Sequence, residues 1–222
     1  DEVIWTGKNN VHNPMLDEKA RVWITAAIRP SPNPDYCKDG SIPSSKLFPI
    51  QSAGRHLAMY DPKTKQLTTI STCFGTHHLM FAEDANNTLW TSGGGPVVGW
   101  VNTKMFDETG DVQKSQGWTA LVLDTNPNGV RDEYTEPGKP QEPGKDMRIG
   151  ATFYAVMPSP VDGSIWGTQA AFGAQGRPGA VIRVDPGPNP PATALSEVYF
   201  PPMPGFGVRG GDIDRNGVVC RG

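Results

Sequence analysis

The 222-residue sequence lacks any apolar run that approaches the roughly 20 residues of a membrane-spanning helix. It also lacks a run of Lys or Arg that would neutralise phosphates, and its formal net charge at pH 7 is −3. These two absences predict a protein with no membrane span and no nucleic-acid partner. No G-x-S-x-G stretch occurs, which argues against a serine nucleophile on an elbow turn.

Cysteine is scarce: the residues are Cys37, Cys73 and Cys220, and no C-x-x-C pair indicates a zinc site. Cys37 falls in a proline-rich loop and Cys73 in a turn, so we predict a Cys37–Cys73 disulfide of the kind found in exported proteins. Two unpaired, buried thiols are the alternative. The sequence shows no signal peptide and begins at Asp1 rather than Met, which is typical of a processed chain. We therefore expect a secreted or periplasmic protein.

Glycine and proline, in contrast, are abundant, with 26 and 22 residues. Such frequent breakers leave little room for long helices. Trp, Phe, Met and Val recur in short clusters, which supply apolar material for a core and favour an ordered chain over a partly disordered one.

Four segments repeat one pattern, in which an acidic or small-residue turn precedes an apolar residue, a Trp and then small or hydroxyl residues. They are MLDEKARVWIT (15–25), MFAEDANNTLWTS (80–92), MPSPVDGSIWGT (157–168) and DIDRNGVVCRG (212–222). The fourth has Cys220 where the others have Trp23, Trp90 and Trp166. A second pattern, typical of a strand with its exit loop, follows the first three at 56–62, 119–125 and 180–186.

The repeated unit is therefore a meander of short strands, lengthened in places by Pro/Gly-rich insertions. One meander cannot bury both of its faces, whereas several stacked radially can. The repetition favours an all-β propeller over a β-sandwich built of similar hairpins. We predict one domain over 1–222, with three blades and the first strand of a fourth at about 8–72, 73–150, 151–210 and 211–222.

The stretch HLMFAEDANNTLWTS, with the MFDETGD and LVLDTN that follow it, resembles the streptogramin lyase-like propellers. That group is related to the NHL-repeat and gluconolactonase-like propellers, whose blades begin near a His and pass through an acidic turn to a Trp. The resemblance covers nearly the whole chain. Because this fold hosts many chemistries, the resemblance implies the fold more strongly than any one activity.

Propellers typically have about four to eight blades, so the pattern predicts a C-terminally truncated, open arc. Residues 2–7 predict a strand that would complete the last blade of a closed ring. An open arc exposes apolar flanks and free strand edges, and we expect it to self-associate through them.

The run DTNPNGVRDE (124–133) spaces oxygen-bearing groups like an EF-hand calcium loop. Gly129 stands at the sixth position, but Thr135 replaces the bidentate Glu of the twelfth. The spacing predicts a Ca²⁺ site, and an Asx-rich turn that bonds to its own backbone is the alternative. The predicted ligands are Asp124, Asn126, Asn128, the Val130 carbonyl and Asp132.

A second candidate site is a ring of polar residues just before the predicted innermost strands. Because innermost strands line the channel of a propeller, residues at their starts converge at one mouth. Imidazoles, a phenol and a guanidinium can transfer protons and bind an anion. The alternative is that the histidines only satisfy backbone groups near the channel. His56 precedes an outer strand, and we expect it to be structural. Alignment on the Trp places His12, His77 or His78, Phe153 or Tyr154, and Arg209 at these starts. The candidate catalytic residues are His12, His77, His78, Tyr154 and Arg209.

In streptogramin lyase-like proteins the active site lies at such a mouth, with His and acidic groups around a divalent metal. His12 and His77 match the motif histidine, and the resemblance implies Mg²⁺ or a similar ion. It also implies a lyase or hydrolase that acts on a cyclic ester, lactone or glycan-like substrate. The alternatives are a non-catalytic propeller that binds a small molecule, carbohydrate or partner, and a truncated product without activity.

Overall fold

The computed structural model describes residues 10–170, 179–205 and 207–221, so the strand predicted at 2–7 lies outside the described residues. The chain forms an all-β fold of antiparallel meanders with a few short helices. The first meander contains β1 (Val11–Leu16), β2 (Val22–Ala26), β3 (His56–Asp61) and β4 (Gln66–Ile70). The second contains β5 (Gly75–Phe81), β6 (Thr88–Gly94), β7 (Val97–Asn102) and β8 (Gln116–Ala120).

The third sheet has seven strands, because the insertion at 124–150 adds to its edge. The insertion side contains β9 (Val122–Leu123), β10 (Tyr134–Thr135) and β11 (Asp146–Arg148). The third meander contains β12 (Val156–Pro158), β13 (Ile165–Gln169), β14 (Ala180–Asp185) and β15 (Leu195–Tyr199).

Helices are short, as expected for a chain rich in proline and glycine. Within the described residues, none is both long and apolar enough to cross a membrane. The α-helices are α1 (Pro43–Leu47), α2 (Thr103–Thr109), α3 (Val112–Ser115) and α4 (Pro190–Thr193), and a 3-10 helix spans Asp35–Cys37.

The three repeated tryptophans occupy equivalent places, each in the second strand of its meander. Each is paired across the first hairpin with a methionine in the first strand of the same meander. The pairs are Met15–Trp23, Met80–Trp90 and Met157–Trp166.

The acidic turns of the repeat have a shared local cause. The Asp17 carboxylate accepts the backbone N–H groups two and four residues further on, at distances of 2.9 and 2.8 Å. Asp84 and Asp214 accept the same two amides of their own turns. Each carboxylate therefore closes the first hairpin by replacing backbone hydrogen bonds that a tight turn leaves unmade.

The C-terminal segment corrects one prediction. Residues 211–221 form two strands, β16 (Gly211–Ile213) and β17 (Val219–Arg221), with Cys220 paired to Asp212. The prediction of a single strand here is wrong, because the turn at Asp214 folds the segment back on itself as a hairpin.

The meanders stack face to face in chain order and enclose two apolar cores. Between the first and second lie Trp23, Leu57, Leu79, Leu89 and Trp118. Between the second and third lie Trp90, Val98, Phe153, Ile165 and Ile182.

Two glycines of the stack are required by the close approach of an aromatic ring that lies just before the first strand of the same meander. A Cβ atom on Gly99 would lie 2.3 Å from the buried ring of Phe74. A Cβ atom on Gly167 would lie 2.2 Å from the ring of Phe153. Any larger residue would push the aromatic ring out of its packed position.

Stacking also brings the first strands of successive sheets side by side. β1 contacts β5, β5 contacts β12, and β12 contacts β16. One edge of the stack is therefore lined by the four first strands, and the side chains at their starts meet there.

The connection between β2 and β3 is fastened to the rest of the chain near this stack. Cys37 and Cys73 are buried and placed in disulfide geometry, with Cα atoms 5.3 Å apart. Cys220 is free and exposed.

Candidate functional site

The edge formed by the first strands brings five polar side chains into one group, which we call the five-residue cluster. Its histidines lie inside β1 and β5 rather than before them, while the tyrosine and arginine each precede their strand by two residues. The members are His12, His77, His78, Tyr154 and Arg209, the same five residues that the repeat predicts.

Irregular pairing explains how two consecutive histidines reach one place. In a regular strand, neighbouring side chains point to opposite faces of the sheet. The register of β5 against β6 shifts between Thr76 and Leu79, and the register of β1 against β2 shifts between Val11 and Pro14. Such bulges redirect side chains and are common beside active sites. The sequence left His77 and His78 as alternatives, and the structure uses both.

The rings of the cluster are in direct contact. The His12 and His77 rings stack with centroids 4.1 Å apart, and the His77 and His78 centroids are 4.3 Å apart. The Tyr154 ring lies edge-on to His78 at 4.5 Å. The Arg209 guanidinium carbon is 4.8 Å from the Tyr154 centroid, within range of a cation–π contact.

Buried hydroxyl groups hold this arrangement in place, and sequence analysis missed their role. We call them the bridging hydroxyls: each stands two residues after a repeated tryptophan. Each donates to the carbonyl of a cluster residue in the next sheet. The three bonds are Thr25 Oγ1 to His77 O (2.9 Å), Ser92 Oγ to Tyr154 O (2.6 Å) and Thr168 Oγ1 to Arg209 O.

Each bridging hydroxyl also accepts a backbone N–H from its own sheet. The donor is always the residue that follows a cluster residue. The bonds run from Asn13 N to Thr25, from His78 N to Ser92 and from Ala155 N to Thr168, at 3.0, 3.1 and 3.0 Å. His12, His77, Tyr154 and Arg209 are therefore equivalent positions of one repeat. The signal was present in the sequence as the Thr or Ser after each Trp.

Hydrogen bonding fixes the tautomer of one histidine. His78 Nδ1 lies 2.8 Å from the Tyr154 carbonyl oxygen. Because a carbonyl only accepts, Nδ1 carries the hydrogen and Nε2 of neutral His78 presents its lone pair. That atom lies 3.3 Å from Nε2 of His12.

The electrostatic surroundings keep two of the imidazoles neutral. Burial, followed by the charges of His78, His12, Arg55 and Arg209, lowers the pKa of His77 to about 4. The pKa of His12 is also lowered, first by burial and then by Arg55 and His78. With the guanidinium of Arg209, the neighbouring guanidinium of Arg55 and neutral imidazoles, the cluster favours an anion.

A cleft beside the cluster provides room for a ligand. It has a volume of about 360 Å³. His77, Arg55, Asn10, Thr76 and Gly93 are among its lining residues. A larger cleft of about 600 Å³ lies elsewhere, between the 124–132 loop and the outer strands of the third meander.

The loop predicted to bind calcium, residues 124–132, is here called the Asx loop. Its side chains converge, but they bond to one another. The Asn126 and Asn128 amide groups donate to one oxygen of Asp132, at 2.8 and 2.9 Å, and these bonds lower the pKa of Asp132. Asp124 accepts from Gly129 N, and Asn128 accepts from Val130 N. The Asx-turn alternative describes these bonds, and the Ca²⁺ site stays a prediction.

A buried carboxylate anchors the Asx loop to the third sheet. Asp146, in β11, is fully buried and accepts backbone N–H groups from Asp132 and Thr125, at 2.9 and 3.2 Å. Sequence analysis did not single out Asp146, because it lies outside the loop's own spacing pattern.

His56 lies apart from the cluster, in β3. It is fully buried, and burial followed by the charge of Arg29 lowers its pKa to about 4. A lowered pKa is therefore not restricted to the candidate site.

No protein-family model and no curated protein matches this sequence. Among solved structures, the fold is similar to the crystal structure of virginiamycin B lyase from Staphylococcus aureus, with 13% sequence identity and a TM-score of 0.41. The match covers 95% of this chain and 62% of that chain. The chain thus spans less than two thirds of the length of that lyase.

Proposed function

We propose that the five-residue cluster is the working site of a β-propeller-type protein, and that it binds a small anionic ligand and transfers protons. The observation that carries this proposal is the convergence of four equivalent repeat positions on one edge. Three bridging hydroxyls set the backbone at that edge, so the site is built by the repeat itself.

The propeller description rests on the stacking of the meanders. Three four-stranded meanders pack face to face with their first strands adjacent, which is how blades surround a channel. We propose blades at about 8–72, 73–150 and 151–210, with the hairpin of 211–221 as the start of a fourth.

A lyase or hydrolase acting on a cyclic ester, lactone or glycan-like substrate fits these side chains. For elimination, a neutral imidazole such as His77 takes a proton from the carbon next to a carbonyl. The electron pair forms a C=C bond, the ester C–O bond breaks, and a carboxylate leaves. Arg209 would bind this carboxylate, and Tyr154 would position it. For hydrolysis, the same imidazole would take a proton from water, and the hydroxide would attack the ester carbonyl carbon. The C–O bond to the alcohol would then break, and the imidazolium would return the proton to the leaving oxygen.

A non-catalytic binding module is the second candidate, and the positive charge of the cluster favours it. Arg55 and Arg209 both act on His77, and Tyr154 offers an aromatic face for a sugar or other ring. The two candidates share the site and differ only in turnover.

The proposal is tested with a panel of cyclic esters, lactones and glycans, followed by turnover and by calorimetric binding. His77→Asn, Tyr154→Phe and Arg209→Gln are compared with Asp132→Asn in the Asx loop. We expect each cluster variant to lower turnover by about 10²-fold or more, while the loop variant keeps it. Binding without turnover supports the module. Equal losses in the cluster and loop variants, or no interaction with any compound, would overturn the proposal.

Three further proposals rest on separate observations. The buried Cys37–Cys73 pair supports a secreted or periplasmic location, where disulfides persist. Val218 is 56% exposed beside β17, which among the described residues pairs only with β16, and this supports self-association through that hairpin. For the Asx loop we propose weak Ca²⁺ binding: the two Asn side chains would turn their oxygens inward to replace the present amide donors.

A further inference from the structure

The three histidines of the cluster have the spacing of a nitrogen-donor metal site. We propose that His12, His77 and His78 bind a divalent transition metal, with Zn²⁺ as the best fit. Their candidate ligand atoms all lie within 4.8 Å of one another. The site goes beyond the proton-transfer function proposed above, which needs no metal.

One distance between two of the proposed ligand atoms already suits a zinc ion. Two ligands at about 2.0–2.1 Å from a tetrahedral Zn²⁺ are about 3.3 Å apart. The Nε2 atoms of His12 and His78 are separated by 3.3 Å. The remaining histidine, His77, completes the site by a rotation of its ring.

The orientation of His78 is set as in known zinc sites. A metal-binding imidazole usually donates its other N–H to a carbonyl or carboxylate, which directs the free nitrogen at the metal. His78 donates Nδ1–H to the Tyr154 carbonyl, and Ser92 donates to the same oxygen. The lone pair of Nε2 therefore faces His12 before any metal binds.

The donor set does not fit the Mg²⁺ that the family resemblance implies. Mg²⁺ and Ca²⁺ take oxygen ligands, whereas imidazole suits zinc, copper and nickel. Among the described residues, this group of metal-ligating side chains consists of three imidazoles and no carboxylate.

The nearby positive charges favour an anion as the fourth ligand of the zinc ion. Three protein ligands leave a fourth position open on a four-coordinate zinc ion. Arg55 and Arg209 act on His77 and would repel an isolated cation, but they favour an anion at the open position. We therefore expect zinc and a small anion, such as a carboxylate, to bind with positive cooperativity.

The test uses the full chain without a polyhistidine tag, stripped of metal by a chelator. Zn²⁺ is titrated by calorimetry with and without acetate, for the wild type, His12→Asn, His78→Asn and the matched control Asp132→Asn. Co²⁺ is added separately as a spectroscopic probe of coordination geometry. We expect one Zn²⁺ per chain, tighter with acetate, and the intense visible bands of four-coordinate Co²⁺.

Both histidine variants should weaken Zn²⁺ binding by at least about tenfold, and Asp132→Asn should leave it unchanged. His12 is exposed, so His12→Asn reports on binding even if the half-buried His78 variant loses its fold. Unchanged Zn²⁺ affinity in His12→Asn, or competition by Mg²⁺ at similar concentration, would overturn the proposal. Because no substrate is present, failure here leaves the proton-transfer proposal standing, and the reverse also holds.

Discussion

The five-residue cluster and the Asx loop show two ways in which a chain can gather polar groups. The cluster collects side chains from positions 12 to 209, and they meet only when the first strands of four successive sheets lie side by side. The Asx loop gathers its groups within nine residues and pairs them with one another. Local spacing produces a self-satisfied turn, whereas the repeat brings imidazoles, a phenol and a guanidinium together from distant parts of the chain.

The way each region is anchored also differs. One buried carboxylate, Asp146, holds the Asx loop from outside. The cluster is held through the backbone by hydroxyls that are buried in each sheet. Changes in the loop should therefore affect stability alone, and changes in the cluster should affect function more than stability.

The largest expected effect is on the anchor of the loop. Asp146→Ala removes a buried charged acceptor from two part-buried backbone N–H groups, and we expect a loss of about 3 kcal/mol in the free energy of unfolding. Urea denaturation measures it, with the exposed Glu142→Ala as control. Turnover or binding at the cluster should persist in the folded fraction. If Asp146→Ala abolishes it, the two regions are coupled and the comparison fails.

The pH dependence of stability tests the role of His56, whose lowered pKa of about 4 is shared by His77 of the cluster. The pKa of His56 is about 4 when folded and ordinarily 6.5, so the unfolded chain binds more protons between these values. Stability is therefore lost as the pH falls from about 6.5 to 4, and His56 accounts for about 2 kcal/mol at pH 5.

His56→Gln should remove this part of the pH dependence. Urea unfolding of both proteins at pH 7 and pH 5 provides the comparison. Parallel losses in wild type and variant would show that His56 is not the group responsible.

The bridging hydroxyls allow a direct test of positioning. Ser92→Ala leaves the His78 N–H without its acceptor and removes one donor from the Tyr154 carbonyl. We expect a loss of about 1–2 kcal/mol in the free energy of unfolding, together with weaker ligand or metal binding. Ser92→Thr is the matched variant, because Thr occupies the equivalent places 25 and 168. Recovery of binding in Ser92→Thr supports the role. A stability loss with unchanged binding in Ser92→Ala would reduce Ser92 to a structural group.

The smallest effect should be that of calcium on the Asx loop. Since hydrogen bonds already hold the loop, we expect a chelator to lower the Tm by a degree or two at most, and only in wild type, not in Asp132→Asn. Differential scanning fluorimetry with Ca²⁺ or EDTA measures it. A large, Asp132-dependent shift would mean that the ion rather than the turn organises this region.

The repeat made most of the strand order predictable, because Trp and the turn acid mark the first hairpin of each meander. The five cluster residues followed from the same alignment. The bulges that bring both His77 and His78 to one place were not predictable, because a register shift depends on cross-strand pairing. Some short elements could not be predicted, namely β9, β10 and the hairpin at 211–221. They contain too few residues to show the alternation of apolar and polar side chains that marks a strand.

The bonds of the Asx loop show the limit of reasoning from spacing. Alternate oxygen-bearing residues suit a Ca²⁺ ion, but the same side chains can bond to one another. The orientation of the Asn126 and Asn128 amides decides between the two, and this depends on Asp132 being held by Asp146 from β11.

The most direct test of the account is to locate a metal in the folded protein. Crystals grown with both Zn²⁺ and Ca²⁺, with anomalous data on either side of the zinc edge, compare the two regions in one experiment. We expect a zinc peak about 2.0–2.1 Å from Nε2 of His12 and of His78, with His77 turned toward it. A zinc peak held by the carboxylates of the Asx loop, with none at the histidines, would contradict the claim that the histidines of the cluster form the metal site.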